Sequence, residues 1–345
     1  MTKVLLIKMS SMGDVVHTLP ALTDAANHIP DIQFDWVVEE SFQEIPRWHP
    51  AVNRIIPIAL RRWRKHWFKS FKSGEPQQFC KMLRQENYDY IIDAQGLLKS
   101  ALVGRLAKGD RYGLDRCSAR EGHAALLYQK TYRVNHQQHA VIRVRQLFAQ
   151  VFGYTMPDSP PDYDIRNHFA THKSKSPYLV FLHNTTWDTK LYPELYWKRL
   201  GELANQQGLQ VKLTSGNAQE KARADRIAAT LKNAEALPRL SILDIANLLV
   251  NAAGVISVDT GFSHLAAALA VPNVALYGPT NPEYTGAYGP NQISLGAPFP
   301  CAPCLRKHCN HPDRHQTITP PCFTTLPPEL VWETLTSLLH SKNAS

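Results

Sequence analysis

No apolar run in the sequence comes near the ~20 residues that a membrane-spanning helix requires. The first apolar run, residues 4–7, is too short for a secretory signal and reads as a strand. Both absences lead to the expectation of a chain that stays in the cytosol. Glycine is missing where nucleotide-binding folds most often need it. Neither the turn after Ile7 nor the turn after Leu182 carries G-x-G-x-x-G, which counts against a nicotinamide-dependent oxidoreductase. Acidic residues are absent from 61–72, a stretch with six Lys or Arg. Cysteine is sparse too: of six, Cys80 and Cys117 stand alone and are expected to be buried thiols.

What is present is enough for two domains of ordinary size: 345 residues, 44% of them hydrophobic. Lys and Arg number 38 against 29 Asp and Glu, a formal charge of +9. That balance suits an anionic partner, whether nucleic acid, an acidic lipid surface or a phosphorylated substrate. Strand and helix signals alternate, with strands expected at 4–7, 34–38, 54–58 and 90–93 and helices from Val15 and over 97–107. Residues 157–177, rich in Pro, Ser and charge, read as a linker. The pattern then restarts: strands at 178–182, 211–214, 254–258 and 273–277, helices over 193–207, 218–231, 241–252 and 262–270. Alternation of this kind predicts two α/β domains of doubly wound parallel sheet, over residues 1–165 and 166–326. A last helix in 327–345 has an apolar face that could cross back to the first domain.

Ligands of open α/β sheets bind beyond the carboxyl ends of the strands. After Val258 come Asp259, Thr260 and Gly261, and then a helix carrying His264 in its first turn. A helix start with a glycine and a hydroxyl favours a phosphate, while Asp259 suits a sugar hydroxyl. The plainer reading is that Asp259 and Thr260 cap the helix. After Leu182, Thr185, Thr186 and Lys190 offer two hydroxyls and an ammonium to a diphosphate, or make up a polar surface loop. After Thr214, Glu220 can accept from a ribose hydroxyl or stand as a solvated first-turn acid. Three such loops in one domain favour a nucleotide-diphosphate site.

The first domain has no phosphate set. In its first turn it has Asp14, with Ser10 and Ser11. An ionised acid there can take a proton from an attacking alcohol; the competing account makes Asp14 the N-cap of the helix. The segment 61–72 mixes its basic residues with Trp63, Trp67, Phe68 and Phe71, which suits an anionic lipid surface, with nucleic acid as the rival partner. Cys301, Cys304, Cys309 and Cys322, with His308, His311 and His315 among them, are candidates for a structural zinc site; buried thiols or a redox-labile pair are the alternatives.

With those residues in hand, the chain resembles the ADP-heptose:lipopolysaccharide heptosyltransferases over nearly its whole length. The likeness is carried by "KMSSMGDVVHTLPALTDA", "FDWVVEE", "IPIALRRWRKHWF", "IIDAQGLLKSA", "SVDTGFSHLAAAL" and "YGPTNP". It implies a GT-B fold, with two Rossmann-like domains facing across a cleft that closes to exclude water. It implies an inverting transfer of heptose from ADP-heptose, held by the second domain, to the Kdo of Kdo2-lipid A, held by the first. Carried over by motif, Asp14 is the general base, and Thr185, Thr186, Lys190, Thr260, Gly261 and His264 meet the diphosphate. Glu220 meets the ribose, Leu240 the adenine side and Asp259 the heptose. Ser10, Arg61, Arg62, Arg64, Lys65 and Arg120 face the acceptor. The resemblance further implies catalysis without a metal cofactor, work at the cytoplasmic face of the inner membrane and no nucleic-acid partner. The cysteine-rich tail departs from the first-heptose branch and is similar to second-heptose enzymes, so an already heptosylated acceptor is the alternative.

Overall fold

The computed structural model describes residues 1–172 and 176–343, without the side chains of Trp67, Phe71, Lys342 and Asn343. Three residues of the expected linker, Lys173, Ser174 and Lys175, therefore lie outside the described part, as do two of the four aromatic side chains of 61–72. The chain divides into two compact units, Met1–His168 and the remainder from Phe169.

The first unit holds six strands: β1 Thr2–Ile7, β2 Ile32–Glu39, β3 Val52–Ile58, β4 Tyr90–Asp93, β5 Arg111–Leu114 and β6 Lys130–Tyr132. Their order is β3-β2-β1-β4-β5-β6 and all neighbours are parallel. The second unit holds β7 Tyr178–Leu182, β8 Gln210–Leu213, β9 Ala234–Ala236, β10 Gly254–Val258, β11 Asn273–Tyr277 and β12 Gln292–Gly296. Their order is β12-β11-β10-β7-β8-β9, again all parallel. Counted from its first strand, each sheet thus runs 3-2-1-4-5-6, the doubly wound order. The strand order reverses between β1 and β4 in one unit and between β7 and β10 in the other, and at such a point the flanking loops part and leave room for a ligand.

The central strands are continuous apolar runs because helices cover both of their faces. In β7, β10 and β11 every residue is buried. One core gathers Leu5, Ile7, Val37, Ile56 and Ile91 under the helix Glu75–Leu83. The other gathers Leu179, Phe181, Trp197, Val211, Ile256 and Val274. The last helix, Pro328–Asn343, buries Val331 and Leu335 in this second core. The apolar face left free in the sequence for crossing back to the first domain therefore packs within its own unit.

The division between the units falls inside the expected linker, 157–177. Its first part is packed rather than loose: Tyr163, Ile165 and Phe169 are buried, and the Arg145 guanidinium binds the carbonyls of Pro157 and Ser159 while pairing with Asp24 at 2.6 Å. One expectation is corrected: the lone cysteines are not buried, since Cys117 is exposed and Cys80 only half-buried. Among the described residues no helix is long and apolar enough to cross a membrane.

Candidate active site

In the first unit the chain leaves β1 at Ile7 and turns into the short helix Met12–Val16. Asp14, in its first turn, reaches back. Its Oδ2 accepts from the Ser11 backbone N–H at 2.7 Å and from the Ser11 hydroxyl at 3.1 Å. The N-cap position belongs to Ser11, so Asp14 is not the cap expected on spacing alone. Both bonds fall on one oxygen of a half-buried side chain, which orients the carboxylate and leaves Oδ1 to a further donor.

The turn that carries Asp14 is clamped from β4. Gln95 Oε1 accepts from the N–H groups of Met9 (3.0 Å) and Ser10 (3.2 Å), and its Nε2 donates to the Ser10 carbonyl at 2.6 Å. Gln95 is in turn fixed by Asp93, whose Oδ1 accepts from the N–H groups of Gln95 and Gly96 and whose Oδ2 accepts from the Tyr128 hydroxyl at 2.7 Å. Gly96 makes this turn at φ 66°, a left-handed conformation open to glycine at little cost. Lys8, buried beneath the turn, donates to the Ala94 carbonyl at 2.8 Å. Burial lowers its pKa, against the attraction of Asp14 and Asp93. Burial raises the pKa of Asp93, against the hydrogen bonds it accepts.

The expected acceptor residues join the same edge. Glu39, at the end of β2, donates its N–H to the Met9 carbonyl and accepts the Arg61 N–H at 3.1 Å, tying the helix Leu60–Lys65 to the Asp14 turn. The exposed Arg120 neighbours Glu121, whose N–H donates to the Gly96 carbonyl at 3.0 Å. Ser10, Asp14, Arg61 and Arg120 are thus held on one hydrogen-bonded framework at the carboxyl edge of the first sheet.

In the second unit the loops after β7 and β10 meet. Lys190 Nζ pairs with Asp259 Oδ2 at 2.7 Å, and both side chains are largely shielded from solvent. The Thr280 hydroxyl donates to the same oxygen at 2.7 Å, and the Thr185 hydroxyl donates to the Asp259 carbonyl at 3.1 Å. The helix Gly261–Ala268 starts beside this pair with Thr260 at its N-cap position, and among the described residues no side chain makes a cap bond there. Asp259 spends its carboxylate on Lys190 and Thr280 instead. Its start is moored to β10 and β11 by a buried cluster in which the Ser257 hydroxyl, Ser263 and Asn273 bond to one another at 2.9–3.3 Å. His264 is buried in the first turn, Thr186 is exposed and Leu240 is half-buried.

The profile of glycosyltransferase family 9 (heptosyltransferase) matches residues 77–315. The chain belongs to this family. It is 52% identical over 347 residues to lipopolysaccharide heptosyltransferase 1 of Pseudomonas aeruginosa, covering 98% of each chain. With the Escherichia coli K12 protein of the same description it shares 50% over 299 residues, covering 86% of this chain and 94% of that one. The solved structure of E. coli heptosyltransferase WaaC with ADP-2-deoxy-2-fluoro heptose matches with a TM-score of 0.84 at 44% identity, covering 97% of this chain and 99% of that one. The chain is an enzyme, a family-9 glycosyltransferase built on two six-stranded parallel α/β units.

In this family-9 transferase several residues expected to face a ligand are occupied otherwise. The Glu220 carboxylate accepts from the Gly216 N–H (2.7 Å) and the Asn217 amide (2.8 Å), closing the turn before the helix Ala218–Ala228. Arg62 is held by Glu40 and Glu75 at 2.9 and 2.8 Å. The hydrogen bond from Arg62 is the chief cause that lowers Glu75 to a pKa of about 2. The acid-free stretch thus acquires acids from elsewhere in the chain. Trp63 is half-buried, donates its indole N–H to Glu75 and packs on Phe79, whereas Phe68 is 74% exposed.

Among the described residues no three His, Cys, Asp or Glu side chains are gathered as a metal ion would need. Cys322 is packed beside Phe323 in the second core, where burial, and after it the neighbouring Cys301, Cys304 and Cys309, push its thiol up to about 12, while Cys301 is exposed. Gln95, Lys8, Thr189 and Thr280 escaped the sequence reading as site residues, although "DAQG" and "YGPTNP" contain two of them.

Proposed function

We propose that this family-9 transferase moves heptose from ADP-heptose to the Kdo of Kdo2-lipid A, with inversion at the anomeric carbon, during assembly of the lipopolysaccharide inner core. The observation that carries this reading is the division of labour between two like-wound sheets. A carboxylate and basic side chains collect at the reversal point of one sheet. Hydroxyls, an ammonium and an uncapped helix start collect at that of the other. The relatives named heptosyltransferase 1 and the solved complex with an ADP-heptose analogue support the choice of donor.

In this reading Asp14 Oδ1 accepts the proton of the attacking hydroxyl as its oxygen bonds to the anomeric carbon. The bond from that carbon to the diphosphate oxygen breaks, and its electron pair leaves with ADP. Ser11 holds the base in orientation through the opposite oxygen. Lys190 and the start of the helix Gly261–Ala268 stabilise the charge that develops on ADP. Thr185 and Thr186 add hydroxyl donors, His264 lies in the same first turn, and Leu240 borders the adenine. Asp259 serves both the heptose hydroxyls and Lys190. Glu220 takes the ribose by turning from its present partners, the Gly216 N–H and the Asn217 amide. Ser10, Arg61, Arg64, Lys65 and Arg120 receive the acceptor's carboxylates and phosphates. The exposed Phe68 and its basic neighbours suit attachment to an anionic membrane surface on the cytoplasmic side.

The deciding experiment offers purified protein ADP-heptose with either Kdo2-lipid A or an already heptosylated core. Transfer to Kdo2-lipid A is expected. Transfer confined to the heptosylated acceptor would replace this reading with that of a later step.

A further inference from the structure

The cysteine-rich excursion between β12 and the last helix does not trail into solvent. Phe299 and Ala302 at one end, and Cys322, Phe323 and Leu326 at the other, pack on the second core. Its middle is fastened to the two loops that flank the Lys190–Asp259 pair. The buried Thr189 donates its hydroxyl to the Arg306 carbonyl at 2.5 Å and its N–H to the Lys307 carbonyl at 3.4 Å. The Leu305 N–H donates to the Pro279 carbonyl at 2.8 Å, next to the Thr280 that bonds Asp259. His308 Nδ1 lies 3.0 Å from Asp188 Oδ2. Thr189 is adjacent to Lys190 and Pro279 to Thr280, so the excursion grips the site one residue away from its polar groups on both sides.

It also brings a cation. Lys307 Nζ lies 5.9 Å from the centre of the Trp187 ring, and Lys190 Nζ lies 4.5 Å from the same centre. Lys190 already has a carboxylate partner in Asp259, so the two together offer a diphosphate little net charge. Among the described residues no carboxylate pairs with Lys307. A nucleoside diphosphate carries charge on two phosphates, and one half-neutralised ammonium is a poor match for it.

We propose that the excursion is part of the donor site: residues 305–308 brace the loop after β7, and Lys307 is a second ammonium for the diphosphate of a nucleoside-diphosphate sugar, sharing the Trp187 indole with Lys190. This rests on the reading above that Lys190 meets that diphosphate. Trp187 sets the reach of both side chains, and Thr189 ties the brace to it.

The test measures ADP binding by titration calorimetry on the full chain. Lys307→Gln should weaken ADP about three- to tenfold, as befits a solvent-exposed charge contact, and Lys307→Glu should weaken it further. Both losses should shrink at high salt, and Lys307→Arg should restore affinity. In turnover assays Lys307→Glu should raise the donor KM while leaving the acceptor KM unchanged. Thr189→Val should raise the donor KM more than it lowers kcat. Wild-type ADP affinity in Lys307→Glu would overturn the proposal. If Lys190→Ala weakens ADP in the same series, the diphosphate site stands and only the role of the excursion falls. If Lys190→Ala is also silent, the underlying site reading falls with it.

Discussion

The two reversal points share a topology but have opposite chemistry, and the comparison shows how little the sheet dictates. After β1 the short helix Met12–Val16 is closed from inside by its own acid, Asp14. After β10 the helix Gly261–Ala268 is left without a side-chain cap. The first arrangement fills the place where an anion would bind with a carboxylate of the chain itself. The second, in the proposed reading, leaves that place to an incoming anion. The supports differ accordingly. Gln95 grips backbone in the first unit and so fixes where a carboxylate points. In the second, Thr280 and Lys190 grip a carboxylate and so fix where an ammonium points.

The contrast breaks most sharply at Asp14. Asp14→Asn keeps the shape and the bonds from Ser11 but removes the proton acceptor. kcat should fall about 100- to 10,000-fold, the usual worth of a general base, while ADP affinity by calorimetry stays at the wild-type value. A variant that turns over near the wild-type rate would show that the first reversal point is merely a closed helix turn.

The converse change is Lys190→Ala. It deletes a charge-assisted contact of about 1.5–3 kcal/mol and leaves the Asp259 carboxylate facing the diphosphate unpaired, so ADP should bind roughly 10- to 100-fold more weakly. Acceptor KM should not move. Unchanged ADP affinity would mean that the ion pair only holds the two loops together.

Gln95→Ala sharpens the comparison by touching a support rather than a reacting group. It strands the N–H groups of Met9 and Ser10, at about 1–3 kcal/mol of stability in the first unit. Because the base loop loosens, kcat should drop about tenfold with ADP affinity untouched. Gln95→Glu can still accept both N–H groups, so it should recover part of the rate. Equal losses in both variants, tracking the melting temperature alone, would reduce Gln95 to a purely structural residue.

How much of this was legible follows from the physics of each element. The strands Tyr90–Asp93, Tyr178–Leu182, Gly254–Val258 and Asn273–Tyr277 were readable to the residue, because central parallel strands must be apolar on both faces and end where polar loops begin. β5, β6, β9 and β12 were not seen. β6 and β9 sit at sheet edges, are three residues long and are partly exposed, so their pattern resembles loop. The doubly wound plan and the acid in the first turn were visible in the sequence. The partners of that acid were not, since Gln95 lies 85 residues from Ser10 and only the sheet order brings β4 beside β1. The same limit hid the Lys190–Asp259 pair, whose members read as separate ligands of phosphate and sugar. It also let the cysteine spacing suggest a metal site, whereas among the described residues no three such side chains are gathered for one.

The smallest predicted effect lies within the basic segment, and it asks whether charge or freedom of charge matters at the first edge. Arg62 and Arg64 look equivalent in the sequence, yet Arg62 is bound by Glu40 and Glu75 while, among the described residues, no carboxylate pairs with the exposed Arg64. If the segment meets an anionic acceptor, the guanidinium without such partners should contribute more. Arg64→Ala should raise the acceptor KM a few-fold, and Arg62→Ala by about twofold or less, because Glu40 and Glu75 already engage the Arg62 guanidinium and leave it little to offer an incoming anion. The gap should narrow in high salt, where exposed charges are screened beyond about 10 Å and less. Donor KM should stay constant in both, since the groups proposed to meet the diphosphate reside in the other unit. A larger effect at Arg62 would mean that acceptor binding pulls this arginine out of its carboxylate pair, making Glu40 and Glu75 competitors for the same guanidinium.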